Sequence, residues 1–331
     1  MTQPVRLAIT MGDPAGIGPE IVVRAIDQIC RKGRKETIAF KVLGSKQIFE
    51  QTWHQMGIPG EKLPIDIIDI GPVAGEVVTG RISAAGGEWA FRAVRKAVEM
   101  TQSGEADAIV TAPLSKEALH LAGHHFDGHT ELLAHLTGMK DAVMMLAYSH
   151  MRVTHVTTHC SIADIPRRIT PERLRRVIDI TVDAMQRLGF TTPIIGVAGL
   201  NPHSGEGGLF GHEEKEIITP VIQEYRDKGI DITGPIPGDT IFIKLHSRQL
   251  DAVIAMYHDQ GHIPVKLLGF EMDSSSGEWK SIGGVNVTLG LPILRTSVDH
   301  GTAFEIAGKG IANFNSMVDA IDYASLLLGR Y

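Results

Sequence analysis

The 331-residue chain has little cysteine, few aromatic residues and no long run of one character. Its two cysteines, Cys30 and Cys160, stand far apart, so no disulfide framework staples the fold and a reducing, cytoplasmic setting is expected. No apolar run approaches the roughly 20 residues that span a bilayer, and MTQPVRLAIT carries neither the apolar stretch of a signal peptide nor a stop-transfer pattern. Basic residues form no tract, and a net charge of −6 with a pI near 6.2 argues against nucleic acid or an anionic membrane as the main partner. An anionic ligand must then be held by locally placed Arg, Lys or backbone N–H groups. Aromatics amount to 5%, whereas glycine reaches 36 residues, which suits an α/β protein with many turns. The 43% hydrophobic content is enough for a large core, and the length exceeds what one core usually serves, so two domains are expected.

Short apolar runs alternate with amphipathic ones along the chain. Val5 to Thr10 reads as a strand, Gly12 to Ile21 (GDPAGIGPEI) as a glycine turn, and Val22 to Ile29 as a helix. Further strands are expected at Phe40 to Gly44, Ile65 to Ile70, Ala108 to Thr111, Ala142 to Ala147, Val153 to Thr158, Ile194 to Leu200 and Ala252 to Met256. Helices fill the gaps, one between Gly86 and Gly104 and one opened by a cap and N1 proline at Thr170-Pro171. Thr130 is read as the cap of a helix carrying Leu132, Leu133 and Leu136. This alternation predicts α/β architecture with mainly parallel sheets.

Three histidines occupy equivalent places. His159, His203 and His258 each follow a predicted strand, and parallel strands bring their carboxyl ends to one edge, where ligands bind. Three imidazoles with a carboxylate or water suit a divalent ion such as Zn, Co, Mn or Ni; the alternative is that each ring bonds loop backbone. Asp259 and Asp239 are candidates for orienting or acid–base roles, and Cys160 reads as a small buried thiol or a soft ligand. His129 and Thr130 at a helix start, with Lys266, Asn286 and Arg295, offer the donors that a phosphate or carboxylate requires. The loop GDPAGIGPE is neither a Walker A sequence nor GxGxxG.

GDPAGIGPEI, GHTE, TTH, NPHSGEGG, MYHDQG, GVNVTLGLP and RTSVDHGTA resemble, in order and over nearly the whole chain, the 4-hydroxythreonine-4-phosphate dehydrogenase family of vitamin B6 biosynthesis. GIGPE and HGTAFEIAGKGIAN are also similar to loops of isocitrate and isopropylmalate dehydrogenases. The resemblance implies a homodimer of two-domain α/β/α subunits, isocitrate/isopropylmalate dehydrogenase-like, with the active site in the interdomain cleft. Residues 1–130 with 290–331 would form the domain bearing the glycine loop and the HGTA loop, and 131–289 the metal-binding, dimer-forming domain. It implies one divalent ion (Zn, Co, Mg or Mn) on His159, His203 and His258, with one ligand supplied across the dimer interface. His129, Thr130, Lys266, Asn286 and Arg295 match substrate-binding positions, and Asp299, His300, Gly301, Thr302 and Ala303 match a loop around the adenosine of NAD.

The implied reaction is NAD-dependent oxidation of a phosphorylated four-carbon 3-hydroxy acid, followed by loss of CO₂ from the resulting 3-oxo acid. The substrate would be 4-phosphohydroxy-L-threonine, giving 3-amino-2-oxopropyl phosphate. GHIPVKLLGF resembles instead a branch acting on D-threonate or D-erythronate 4-phosphate, which gives dihydroxyacetone phosphate. Asp259 and Lys116 are the candidate catalytic bases. EMDSSSGEWKSIG, between Phe270 and Gly284, departs from the family pattern; it either covers the site or is a tolerated surface loop.

Overall fold

A computed structural model of the chain describes residues 3–34, 36–58, 65–139, 142–272, 274 and 279–329. Two compact units emerge, Met1–Ala142 with Leu291–Tyr331, and Val143–Gly290. The first unit begins β1 (Val5–Thr10), α1 (Gly18–Arg31), β2 (Ile38–Gly44), α2 (Lys46–Gln55), β3 (Ile65–Asp69), α3 (Ala84–Gln102), β4 (Ala108–Thr111), α4 (Lys116–Leu121) and α5 (His129–Thr137). The second contains β5 (Val143–Tyr148), β6 (Met151–His155), α6 (Ile165–Arg168), α7 (Pro171–Arg187), β7 (Ile195–Ala198), α8 (Thr219–Asp227), β8 (Ile232–Ile236) and α9 (Gly238–His246). It ends with β9 (Ala252–Ala255), α10 (His258–Gly269), β10 (Phe270–Met272), β11 (Trp279–Ile282) and β12 (Val285–Leu289). The chain then returns to the first unit as β13 (Arg295–Val298) and α11 (Asn315–Leu327).

In the first unit the strands run β3-β2-β1-β4-β13, and every neighbouring pair is parallel. Thr10, Thr111 and Ser297 are in register at the carboxyl ends of β1, β4 and β13. One edge therefore carries the GDPAG, APLSK and DHGTA loops. The apolar stripe of α3, with Ala93, Val94, Ala97 and Val98, packs into a core with Ala8 and Ile109 of the sheet. Ser83 Oγ caps that helix by accepting from Gly86 N at 3.1 Å.

In the second unit the order is β12-β5-β6-β9-β7-β8. β12–β5 and β5–β6 are antiparallel, while β6–β9, β9–β7 and β7–β8 are parallel. The three strands that precede His159, His258 and His203 thus lie side by side in one direction. Thr170 Oγ1 accepts from Arg173 N at 3.2 Å, and Pro171 opens α7 as its sequence predicts.

Several local expectations change. Thr130 is not the cap of α5; Gly128 holds that position with φ 155°, and Thr130 lies inside the first turn. Gly128, two residues earlier, reaches a conformation a threonine resists. The strand expected at Val153 to Thr158 is β6, which ends at His155, four residues before His159, and His258, just after β9, is the first residue of α10. Asp239 falls in the first turn of α9. Within the Glu271–Gly283 insertion, β10 and β11 pair as an antiparallel hairpin, and residues 273 and 275–278 lie outside the described residues. Gly269 and Gly283 close its base, with Gly283 N donating to Gly269 O at 2.8 Å beside the Tyr148 ring. No helix of the described residues is long and apolar enough to cross a membrane.

Candidate active site

The first unit gathers an anion seat at the end of β4, which Arg295 reaches from the start of β13. Arg295 is 3% exposed, and its Nε and Nη2 both donate to Thr111 Oγ1, at 3.1 and 2.7 Å. Burial lowers the guanidinium pKa to about 9, opposed by the nearby Glu131 carboxylate. His129 starts α5 with its Nε2 enclosed and unbonded, and burial, then the charge of Arg295, push its pKa well below the usual imidazole value. The ring is therefore neutral at physiological pH. Lys116 opens α4, and its Cε is 3.8 Å from where a Cβ on Gly128 would stand. A neutral ring, a desolvated guanidinium, a lysine amino group and the open N–H groups of a helix start form a donor set fit for a phosphate or carboxylate.

The loop after β13 belongs to the same unit. His300 Nε2 shares a hydrogen bond with Ser316 Oγ at 2.8 Å, and Nδ1 approaches Gly301 O at 3.1 Å. Gly301 is exposed with open space around it, and Ala303 is left-handed at φ 42°. Thr302 O accepts from Ile17 N at 3.0 Å, and a Cβ on Gly16 would lie 2.8 Å from that oxygen. Only glycine lets the GDPAGIG turn approach this closely. An exposed glycine edge beside a pinned imidazole has the chemistry to hold a nucleoside.

The second unit carries the imidazoles. His159 and His258 line one cavity of about 230 Å³ with Thr158, Cys160, Tyr257 and Asp259, and their ring centroids are 5.9 Å apart. Two imidazoles binding one ion through nitrogen at about 2.1 Å would place their centroids at a similar separation. Cys160, half-exposed on this cavity, is not the buried thiol that its size suggests. His258 Nδ1 lies 2.7 Å from Asp259 Oδ1, and His203 Nδ1 lies 2.9 Å from Glu206 Oε2. In both pairs the carboxylate fixes the Nδ1–H tautomer and leaves Nε2 as the free lone pair. The His258 hydrogen bond holds the Asp259 carboxyl below its usual pKa. These donors fit a divalent ion. Among the described residues, however, no three His, Cys, Asp or Glu side chains group to hold one, so His203 does not complete the His159–His258 pair within a chain.

Lys266 and Asn286 also belong to this unit. The Lys266 ammonium sits 5.3 Å from the Phe270 ring centroid, and Asn286 lies on β12 opposite Leu146. Behind His258, the His262 ring stacks at 3.7 Å and 12°, and its Nδ1 is 3.0 Å from the His258 carbonyl. His155 is wholly buried beyond it, 4.8 Å from His262, and burial lowers their pKa values to about 3 and about 4. Gln260 ties two strand ends together: Oε1 accepts from Met256 N at 2.6 Å and Nε2 donates to Gly199 O at 2.8 Å.

Sequence reasoning missed the Thr111 brace, the His155–His262 backing and the buried Asp13 carboxylate. The second histidine of HDQGH was a visible signal; Thr111 and Asp13 were visible only as a strand end and a turn residue.

Strand-end imidazoles oriented by carboxylates, an enclosed guanidinium and an exposed glycine loop, on mainly parallel α/β sheets, are the features of an enzyme that handles small anionic molecules. The chain belongs to the PdxA family, described as pyridoxal phosphate biosynthetic protein PdxA, whose sequence model matches residues 19–324. A Bradyrhizobium diazoefficiens protein provisionally named a D-threonate 4-phosphate dehydrogenase is 53% identical over 97% of this chain and 96% of its own. A Beijerinckia indica 4-hydroxythreonine-4-phosphate dehydrogenase is 43% identical over 97% and 94%. The crystal structure of a Klebsiella pneumoniae 4-hydroxythreonine-4-phosphate dehydrogenase superposes with a TM-score of 0.82 at 40% identity, covering 98% of this chain and all of that one. An isocitrate dehydrogenase from Methylococcus capsulatus shares the fold alone, with a TM-score of 0.53 at 15% identity, covering 98% and 86%.

Proposed function

We propose that the protein catalyses NAD-dependent, divalent-metal-dependent oxidation and decarboxylation of a phosphorylated four-carbon 3-hydroxy acid. The observation that carries this reading is the matched pair His203–Glu206 and His258–Asp259, each leaving Nε2 free for an ion. A divalent ion supplies polarisation of the substrate oxygens, and NAD⁺ supplies the hydride acceptor. Arg295, His129 and Thr130 bind the substrate's anionic groups, with Lys266 and Asn286 as further donors. Asp299 to Ala303 hold the adenosine of the cofactor. Asp259 is engaged in orienting His258, which leaves Lys116, as its free amine, to take the hydroxyl proton and become an ammonium.

His203 is read as the ligand contributed by a second copy in a homodimer. The second unit leaves Ile162, Leu209, Ile263 and Leu267 exposed, each within a few residues of one of the three histidines or on the helix that His258 begins. Apolar residues placed around charged ligands suit a face that another subunit covers.

Two substrates fit the family. The relative at 53% identity carries the D-threonate name and the one at 43% the 4-hydroxythreonine name, so D-threonate 4-phosphate is the favoured substrate and 4-phosphohydroxy-L-threonine the second reading. The test is NADH formation by metal-loaded protein given D-threonate 4-phosphate, D-erythronate 4-phosphate and 4-phosphohydroxy-L-threonine side by side, with His203→Ala as control. Turnover of the amino acid alone would place the protein in vitamin B6 synthesis. Preference for a sugar acid would place it in the other branch, and no turnover of any of the three would reject the reaction class.

A further inference from the structure

Two side chains on one face of α1 grip the second half of the loop that follows β13. Glu20 is 2% exposed, and its carboxylate accepts from Ala312 N at 3.0 Å (Oε1) and from Gly310 N at 3.3 Å (Oε2). One turn later, Arg24 donates through Nη1 to the carbonyls of the same two residues, at 3.2 Å for Gly310 and 2.8 Å for Ala312. Arg24 Nη1 also lies 3.4 Å from Glu20 Oε1, and its guanidinium sits 4.4 Å from the centre of the Phe314 ring. A carboxylate and a guanidinium thus take both the N–H and the C=O of residues 310 and 312. Side-chain acceptors normally occupy one backbone group of a loop; here alternate residues are held from both sides by opposite charges. At the front of the same helix, Ile17 N donates to Thr302 O. The helix therefore holds both ends of a segment with no regular structure except the short turn Phe304–Ile306.

We propose that Glu20 and Arg24 are positioning residues that set the conformation of the 299–314 loop and hence the affinity for the dinucleotide, without touching it. The inference rests on the reading of this loop as the NAD site. Ordering the loop in the free protein removes an entropic cost that binding would otherwise carry, so loosening it weakens the cofactor and spares the chemical step.

The experiment uses full-length, metal-loaded protein and compares wild type with Glu20→Ala, Glu20→Gln, Arg24→Lys and Phe314→Leu. NAD⁺ titrations give KM and kcat, NADH fluorescence gives direct binding, and thermal melts report folding. Glu20→Ala is expected to raise KM for NAD⁺ about tenfold or more, with kcat at saturation, substrate KM and metal content close to wild type. Glu20→Gln keeps one acceptor but turns an NH₂ toward the other N–H, so its KM falls between wild type and alanine. Arg24→Lys and Phe314→Leu, which preserve charge and packing, should give smaller shifts of the same kind. If NAD⁺ affinity is unchanged in all four, or if kcat and melting temperature fall while substrate KM rises together with that for NAD⁺, the clamp is only structural and the proposal fails. If wild type binds no dinucleotide, the loop reading fails and the proposal with it.

Discussion

The loop after β13 and the loop after β7 both present a histidine from a glycine-rich turn, yet they are held in opposite ways. In the first, His300 is pinned to Ser316, Thr302 to Ile17, and Gly310 and Ala312 to Glu20 and Arg24. All of these partners lie in the same unit, so this loop is complete in one chain. In the second, Asn201 anchors the base through Glu213 and Glu214, but His203 is 66% exposed and residues His203 to Gly207 all have positive φ. Left-handed backbone costs a non-glycine residue about 1–2 kcal/mol, and His203, Ser204 and Glu206 all carry it. Strain of that size usually persists where function over-determines the conformation. The loop after β13 is held throughout by its own unit, whereas the loop after β7 presents an exposed imidazole from a left-handed turn; on the proposed reading the first is the cofactor side and the second the metal side.

Substitutions that strip the metal side should have the largest effect. His258→Ala and His203→Ala are each expected to lower kcat/KM by about 10³-fold or more and to abolish tight metal binding, while thermal melts of the metal-free proteins stay near wild type. Weakening orientation should do less: Asp259→Asn and Glu206→Gln are expected to reduce metal affinity about 10- to 100-fold, read by competition with a chromogenic chelator. Equal effects from the histidine and carboxylate variants would mean that the carboxylates are themselves ligands.

Behind the metal side, Gly261→Ala probes the backing. A Cβ there would stand 2.3 Å from His155 Nε2 on a ring that is wholly buried, so chemical denaturation should show a loss of about 2–3 kcal/mol. Retained stability would mean that His155 can move.

The corresponding test on the cofactor side uses Asp13, which is fully buried and accepts from Ala15 N at 2.9 Å, with its second oxygen unbonded. Burial raises its pKa to about 6, opposed by that hydrogen bond. The folded state therefore holds a proton that the unfolded chain releases, and its stabilising effect is present below about pH 4 and lost as pH rises through 6. Relative to Asp13→Asn, which does not titrate, wild type should lose up to about 3 kcal/mol of stability between pH 4 and pH 7. Parallel stability curves for the two proteins would show that the carboxyl keeps an ordinary pKa.

Periodicity served the strands best. Val5–Thr10 and Ala108–Thr111 are the predicted β1 and β4, because short, mostly apolar runs between turns have few alternatives. The alignment of the strands before His159, His258 and His203 was legible too, since it follows from alternation alone. Thr130 as a cap was not borne out, because Gly128 reaches a backbone conformation that outcompetes a side-chain hydrogen bond. His258 follows its strand as expected, but nothing in HDQGH marked it as the start of a helix, since α10 begins without a side-chain cap and carries Pro264 inside it. Glu20 and Arg24 show on the sequence only as two polar residues of an amphipathic helix; their partners lie 286 to 292 residues away, beyond any local pattern.

Subunit mixing tests most directly whether the metal side is completed by a second copy. Purified His203→Ala and His258→Ala proteins, each inactive, would be mixed in equal amounts, dissociated and allowed to reassociate with metal, and NADH formation measured. If His203 reaches the His159–His258 pair of its partner, each mixed dimer has one intact site, and activity should recover to about a quarter of wild type. If all three histidines serve one ion within a single chain, every site in the mixture lacks a ligand and no activity returns.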